Sequence, residues 1–165
     1  MVGAKPDEQI RTPMQWSSEQ GGGFTKGKPW ESPQPDWAVT NVEAQERDAG
    51  SLLNHYRRLI QLRNNHPALN SGDIAVGSAN MSWIAAFVRR SSAETIVVMI
   101  NFGSLGLTPA TVEFGISPIL SGRFERIYAD PSTGCSPELS ATGINSLELR
   151  QIAPGGLCVY RRVPN

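Results

Sequence analysis

The chain has 165 residues, which is enough for one domain or two small ones and too few for a complete eight-fold α/β barrel. Its 15 basic and 15 acidic residues give a formal net charge of zero, and no basic stripe is interleaved with aromatic residues, so a nucleic-acid partner is not expected. The 16 glycines and 12 prolines favour a turn-rich globular domain over a coiled coil or a disordered tail.

Residues 1–48 are predicted to form one long irregular segment. Prolines and the run Gly21 to Gly23 interrupt any sustained period. The glycine run has neither the Lys-Ser/Thr that follows a phosphate loop nor the strand that precedes one, so we expect a turn there. Because loops of this length inside compact domains are often functional, the segment either lines a binding site or belongs to a larger structure.

An amphipathic helix is predicted at about residues 50–65. Large apolar residues recur every three or four positions along one face, and the other face is polar. Asp48 and Ser51 are candidate amino-terminal caps, and Pro67 is expected to end the helix. The apolar face consists of Leu52, Leu53, Tyr56, Leu59 and Ile60.

Beyond Gly72 the pattern changes to alternation with a period of two, or to short apolar runs, which predicts seven strands. These runs are residues 74–76, 83–88, 96–102, 111–114, 126–129, 146–152 and 157–161. Clusters of Gly, Pro, Ser and Asn separate them, as is typical of an antiparallel sandwich or barrel. A β-sandwich is the arrangement that we expect.

Cys135 and Cys158 are the two cysteines, and neither has a second cysteine or a histidine at metal-ligand spacing. Two unpaired thiols are expected, although a bridge between them is compatible with the sequence. His55 and His66 have no recognisable triad or metal partner, so contacts with terminal helix carbonyls or solvent are expected for both. No metal and no cofactor are implied.

The sequence gives no indication of a membrane segment. The amino terminus has no basic region followed by an apolar one, and no apolar run is long enough to cross a bilayer. We therefore expect a soluble cytoplasmic protein with no membrane partner.

Several motifs in the first 75 residues occur together in one family of enzymes. The longest is KPDEQIRTPMQW at residues 5–16. It is followed by Gly23-Phe24-Thr25, Pro29-Trp30, Asn41-Val42-Glu43-Ala44-Gln45, Asp48, residues 51–60, His66-Pro67-Ala68-Leu69 and Gly72. In order and spacing these motifs resemble the carboxy-terminal part of α-glucosidases, oligo-1,6-glucosidases and trehalose synthases of the α-amylase superfamily, glycoside hydrolase family 13. Beyond residue 75 the resemblance is one of pattern only.

The resemblance implies an α+β chain in two parts. Residues 1–70 correspond to the end of the family's catalytic (β/α)8 barrel, with an active-site-side loop and the eighth helix, and residues 71–165 to an antiparallel carboxy-terminal β-sandwich domain. The family's three catalytic carboxylates belong to motifs on earlier barrel strands, and none of those motifs occurs in this sequence. We therefore assign no catalytic residue.

Arg11 is the one substrate-binding residue that the resemblance implies, because the matching arginine in related α-glucosidases hydrogen-bonds the non-reducing-end glucose. An exposed ion pair with Asp7 or Glu8 is the alternative. Surface solvation is expected for these two carboxylates and for Glu19 and Glu31. Four aromatic residues of the same loop could stack on sugar rings, but anchoring the loop is the stronger expectation. They are Trp16, Phe24, Trp30 and Trp37.

Three functions are compatible with these observations. The first is the carboxy-terminal part of a retaining α-glucosidase that acts on short α-glucosides, inactive by itself. The second is the corresponding part of a trehalose synthase, which isomerises a sugar. The third is a stand-alone β-sandwich that serves as a structural or carbohydrate-binding module. If residues 1–70 are the end of a barrel, the apolar helix face is left uncovered, which predicts packing on the sandwich, self-association or docking to a barrel portion.

Overall fold

The computed structural model describes residues 11–104, 109–115, 122–129 and 134–163. The chain divides into two compact units, Met1–Leu59 and Ile60–Asn165. The resemblance divides the chain differently, into the end of a catalytic barrel at residues 1–70 and a carboxy-terminal domain at residues 71–165. This division remains a prediction. Within the described ranges, no helix combines the length and the apolar character needed to cross a membrane.

The first unit is a long loop that leads into helices, the last of which continues along the chain into the second unit. A 3-10 helix occupies Gln20–Gly23, α1 occupies Val42–Arg47, and α2 begins at Leu52 and runs to Asn65. The predicted helix at residues 50–65 is therefore confirmed. Its predicted cap is confirmed as well, because Ser51 Oγ accepts a hydrogen bond from the amide of Asn54 at 3.2 Å.

The described residues of the second unit form the short helix α3, Pro67–Ser71, and eight strands. The strands are β1 Asp73–Ala79, β2 Ile84–Arg90, β3 Thr95–Asn101, β4 Ala110–Phe114, β5 Phe124–Ala129, β6 Glu138–Ala141, β7 Ser146–Leu149 and β8 Leu157–Arg162. Seven of them overlap the predicted runs. The sequence does not predict β6, because this strand is only four residues long and Leu139 is its single buried residue, so no alternation can be recognised. Pro67 also begins α3, because proline is favoured at the first helical position.

The strands close into one antiparallel barrel in the order β1-β2-β3-β8-β5-β6-β7-β4. Closure occurs at β1, where Gly77 lies opposite Ala86 of β2 on one side and opposite Phe114 of β4 on the other. The antiparallel β unit is thus confirmed, but the expected β-sandwich is replaced by a single closed sheet. Inward apolar residues alternate with outward ones in both architectures, so the sequence pattern does not distinguish them.

Apolar residues form two buried clusters in this unit. The inner cluster includes Val97, Met99, Phe114, Phe124, Leu147 and Tyr160. The second cluster is built from Ala68, Ile96, Val98 and Val159, with Leu62 and Leu69 packed against it. Ile96 and Val98 alternate with Val97 and Met99 along β3, so the second cluster lies on the outer face of the barrel, where helical residues cover it.

Cys135 and Cys158 form a disulfide, which corrects the expectation of two unpaired thiols. Their Cα atoms are 6.1 Å apart, within the usual range for a bridge. Cys158 is fully buried in β8, and Cys135 pairs in an isolated bridge with Ile152. The barrel brings two segments separated by 23 positions together, and no sequence spacing reports this.

Candidate functional site

The Gln15-Trp16 motif binds to the start of α1. The carbonyls of Gln15 and Trp16 accept hydrogen bonds from the first two amides of that helix, at 2.9 and 3.0 Å. The Asn41 side chain accepts one from the third amide, at 2.9 Å. These amides have no partner inside the helix, so the motif supplies the amino-terminal cap that α1 needs.

Side chains of the same motif close the loop on itself. Gln15 Nε2 donates to the carbonyl of Thr40 at 2.5 Å and to Asp36 Oδ1 at 3.3 Å. Asn41, which is only 4% exposed, donates to the carbonyl of Trp37 at 3.0 Å. The role of Gln15 and Asn41 in this structure is therefore to fix the course of the loop.

The glycine run forms the expected turn. Gly21, Gly22 and Gly23 have φ angles of 68°, 70° and 67°, in the left-handed region that favours glycine. This conformation presents the carbonyl of Gly22 to the amides of Trp16 and Ser17, at 2.7 and 3.1 Å. The turn and the α1 cap thus hold Trp16 from both sides.

An open cleft of about 1140 Å³ lies within this loop. Its walls include Phe24, which is 43% exposed, and the half-buried Trp37. Lys26 and Lys28 add positive charge, and Glu19 adds one carboxylate. Apolar rings beside a few charged groups are what a small polar ligand such as a sugar requires, so this is the candidate site of the first unit.

The other two loop aromatics lie outside the cleft walls. Trp16 and Trp30 are 51% and 60% exposed. The alternatives of sugar stacking and loop anchoring both remain predictions for them.

Arg11 is exposed at the beginning of the described loop and is not one of the residues that line the cleft. Its assignment as a substrate-binding residue stays a prediction. Asp7 and Glu8, its alternative partners, lie outside the described residues. Glu31 accepts a hydrogen bond from the amide of Ser32 at 3.0 Å. Among the described residues, no group of three His, Cys, Asp or Glu side chains could hold a metal ion.

The two histidines differ in their surroundings. His55 makes a perpendicular ring contact with Tyr56, with ring centroids 6.4 Å apart. His66 Nδ1 lies 2.9 Å from Glu94 Oε2, and both side chains are nearly buried. The expected contact of His66 with helix carbonyls or solvent is wrong in this respect, because a carboxylate on the β2–β3 turn reaches it. A partner 28 positions away leaves no local signal in the sequence.

The apolar face of α2 is open to solvent. Leu52, Tyr56 and Ile60 follow one another at intervals of four residues and are 65%, 59% and 56% exposed. Leu53 and Leu59 on the same helix are half-buried. Three large apolar side chains in one row on a helix surface are typical of a site that contacts another protein part.

One protein-family model matches the first part of the chain. Residues 1–72 match the family described as Alpha amylase, catalytic domain. An oligo-1,6-glucosidase of Halalkalibacterium halodurans is 37% identical over 101 residues, which is 61% of this chain and 18% of that enzyme. A trehalose-6-phosphate hydrolase of Bacillus subtilis is 35% identical over 99 residues, covering 60% and 18% of the two chains. The chain thus spans about a fifth of the length of the curated relatives it matches.

Solved structures of the same class resemble most of the chain. An isomaltulose synthase of Erwinia rhapontici, crystallised with sucrose, aligns over 93% of this chain and 25% of its own, with a TM-score of 0.65 and 27% identity. A trehalose-6-phosphate hydrolase of Bacillus licheniformis aligns over 98% and 27% with a TM-score of 0.68, and at 22% identity it shows the fold alone. Residues 1–72 are thus similar to the α-amylase catalytic-domain family, and the relatives and solved structures together support a relationship of the chain to glycoside hydrolase family 13. Within it, the chain is related to the glucosidase-type members.

Proposed function

We propose that these residues are the carboxy-terminal part of a retaining α-glucosidase that acts on short α-glucosides. The match of residues 1–72 to the catalytic-domain family carries this proposal. In the proposed enzyme, the loop that contains Arg11 and the cleft forms part of the wall of the substrate pocket. The catalytic carboxylates come from preceding strands of the barrel, so the 165 residues by themselves do not hydrolyse glucosides.

The exposed face of α2 supports a second element of the proposal. Burying a large apolar side chain stabilises an assembly by roughly 1.5 to 3 kcal/mol, so the row Leu52, Tyr56 and Ile60 favours a partner that covers it. The partner that we propose is the remainder of the catalytic barrel. Self-association through the same face is the alternative in its absence.

Complementation tests both elements. The chain is mixed with a separately expressed remainder of a related oligo-1,6-glucosidase, and hydrolysis of a nitrophenyl α-glucoside is followed. We expect turnover only in the mixture, a loss of it with Arg11→Ala or Tyr56→Asp, and no loss with Gln61→Asp. Gln61 is the control because it is exposed on the same helix. If the chain alone hydrolyses the glucoside, and if Arg11→Ala abolishes that activity, the proposal is contradicted.

A sugar-isomerising enzyme is the second candidate. The observation in its favour is that a solved isomaltulose synthase aligns with nearly the whole chain. Product analysis of the complemented mixture, given maltose and then sucrose, distinguishes the two. Free glucose as the main product supports the glucosidase, and a rearranged disaccharide supports the isomerase. If the mixture is inactive while the chain alone binds sugar, a non-catalytic module is favoured.

The cytoplasmic location expected from the sequence remains a prediction. The disulfide between Cys135 and Cys158 points the other way, because structural disulfides are rare in reducing compartments.

A further inference from the structure

We propose that the cleft of the first unit selects a phosphorylated sugar, whose phosphate is bound by Lys26 and Lys28. This inference rests on the proposed function, because it names the class of α-glucoside that the same site would take. Both lysines line one cavity of about 1140 Å³ together with the aromatic residues Phe24 and Trp37. The cleft therefore offers a positively charged part and an apolar part to one ligand.

Lys26 and Lys28 have no acidic partner among the described residues. The ion pairs found in these ranges all involve other basic residues. Both lysines are exposed, and the cleft walls set only one carboxylate, that of Glu19, against their two ammonium groups. An anion that enters the cleft therefore meets a net positive charge.

The other two carboxylates of residues 18–37 lie outside the cleft walls and have partners of their own. Glu31 Oε1 accepts a hydrogen bond from the amide of Ser32 at 3.0 Å. Asp36 Oδ1 accepts one from Gln15 Nε2 at 3.3 Å. Since neither carboxylate pairs with a lysine, the positive charge of the cleft is left for a ligand.

The spacing of the two lysines lets them share one phosphate. They flank Gly27, whose amide donates to Thr25 Oγ1 at 3.1 Å, so a side-chain hydrogen bond holds the backbone between them. Two residues of chain span at most about 7 Å, and each ammonium is carried on a flexible four-carbon stem. A phosphate monoester carries a charge of about −1.5 to −2 at pH 7, which two ammonium groups match and a single carboxylate does not.

The aromatic residues of the cleft provide the apolar part of the site. Phe24 is exposed, and Trp37 is half-buried. The backbone of Trp37 is held in place, because its amide donates to the carbonyl of Gln34 at 3.1 Å and its carbonyl accepts from Asn41 Nδ2 at 3.0 Å. Aromatic rings pack well against the C–H face of a pyranose. Rings and positive charge in one cavity fit a sugar phosphate better than free phosphate.

The charge pattern of this loop does not suit a nucleic acid. Residues 18–37 contain two lysines, no arginine and three acidic residues. A nucleic-acid backbone has a charge at every phosphate and is bound by a basic patch or stripe along its length. Here the positive charge is confined to two positions, which suits a ligand with a single phosphate.

The test titrates the 165-residue chain with small ligands and follows the amide signals of residues 19–37 by nuclear magnetic resonance. Glucose 6-phosphate should bind about tenfold more tightly than glucose, which lacks the charge, and than inorganic phosphate, which lacks the ring. Glucuronic acid, with one carboxylate, should bind more weakly than glucose 6-phosphate. Added salt should weaken the binding of glucose 6-phosphate and leave that of glucose unchanged, because salt screens exposed charges.

Variants assign the binding to the cleft. Lys26→Ala and Lys28→Ala should each weaken the binding of glucose 6-phosphate by about fivefold, and Lys26→Arg should keep most of it. Phe24→Ala should weaken the binding of glucose 6-phosphate but not that of inorganic phosphate. Arg63→Ala is the matched control, since Arg63 is an exposed cation on α2 outside the cleft walls, and it should bind as the parent chain does.

Three results would overturn the inference. Glucose 6-phosphate could bind no more tightly than glucose, glucuronic acid or inorganic phosphate could bind as tightly as glucose 6-phosphate, or the double variant Lys26→Ala/Lys28→Ala could bind it as well as the parent chain does. Far-ultraviolet circular dichroism checks that each variant folds.

Complementation reports separately on the proposed function. If the mixture hydrolyses the uncharged nitrophenyl glucoside but the chain shows no preference for glucose 6-phosphate, only the phosphate inference is rejected. If the chain binds glucose 6-phosphate as expected but the mixture is inactive, only the glucosidase assignment is rejected.

Discussion

Glu94 joins the β2–β3 turn to the start of α3 through both of its carboxylate oxygens. Oε2 lies 2.9 Å from His66 Nδ1, and Oε1 accepts a hydrogen bond from the amide of Ala68 at 3.1 Å. The Glu94 side chain is 11% exposed, so water competes little for these bonds. One side chain thus satisfies a free amide at the beginning of α3 and orients the imidazole beside it.

Replacing Glu94 by Ala should therefore destabilise the second unit by about 1 to 3 kcal/mol, the cost of leaving buried partners unsatisfied. Urea unfolding followed by circular dichroism measures this change. Glu113→Ala is the control, because Glu113 is an exposed carboxylate on β4 and should change stability by less than about 0.5 kcal/mol. Equal effects of the two substitutions would show that the Glu94 contacts add no stability.

Reduction of the disulfide should lower the stability of the barrel. Cys135 and Cys158 are 23 positions apart, and closing a loop of that length is worth about 3 kcal/mol in the chain-entropy model. The melting temperature should fall when a reductant is added. A variant with both cysteines replaced by Ala should start at the lower value and not respond to the reductant. A thiol titration shows whether the disulfide of the parent chain has been reduced. If it has been and the melting temperature is unchanged, the prediction is rejected.

Gly77→Ala should destabilise the barrel by about 1 to 3 kcal/mol through overpacking. An added Cβ would lie 2.5 Å from Val112 Cγ1 and 2.6 Å from Phe114 Cε1, and both side chains belong to the closed interior. At Gly115 an added Cβ meets no atom within 4 Å, so Gly115→Ala is the matched substitution. Thermal unfolding of the two variants should differ, and similar melting temperatures would argue against the tight β1–β4 closure.

Asn54 ties α2 to the end of α1. Its Nδ2 donates to the carbonyls of Asp48, Gln45 and Glu46 at 2.8, 2.9 and 3.3 Å. Asn54→Ala should remove these bonds at a cost of about 1 to 2 kcal/mol and raise amide hydrogen exchange in residues 42–50. Asn64→Ala, at an exposed position of the same helix, should leave that exchange unchanged. Equal exchange in both variants would contradict this role.

Local order in this protein is predictable because each segment carries its own signal. The spacing of apolar residues identifies α2, Ser51 marks its beginning, and alternation or a short apolar run identifies every described strand except β6. β6 shows the limit of that approach, because a four-residue strand with only Leu139 buried has no period to detect.

Contacts between distant segments could not be predicted in the same way. Glu94 is an unremarkable acidic residue in a turn until the fold brings it to His66, and Cys135 meets Cys158 although 23 positions separate them in the sequence. The same holds for the loop site. The Gln15-Trp16 motif is recognisable in the sequence. Its role as the cap of α1 depends on hydrogen bonds to Val42 and Glu43, which are distant in the sequence.

The position of β8 in the barrel bears on how the protein is made. Leu157–Arg162 lies between β3 and β5, so the last strand among the described residues has a hydrogen-bonded neighbour on each side. Until those six residues have been synthesised, β3 has no partner on the side that β8 occupies in the barrel. The barrel therefore cannot close before Leu157–Arg162 has been synthesised, and any folding of the earlier strands during translation leaves this edge of β3 exposed.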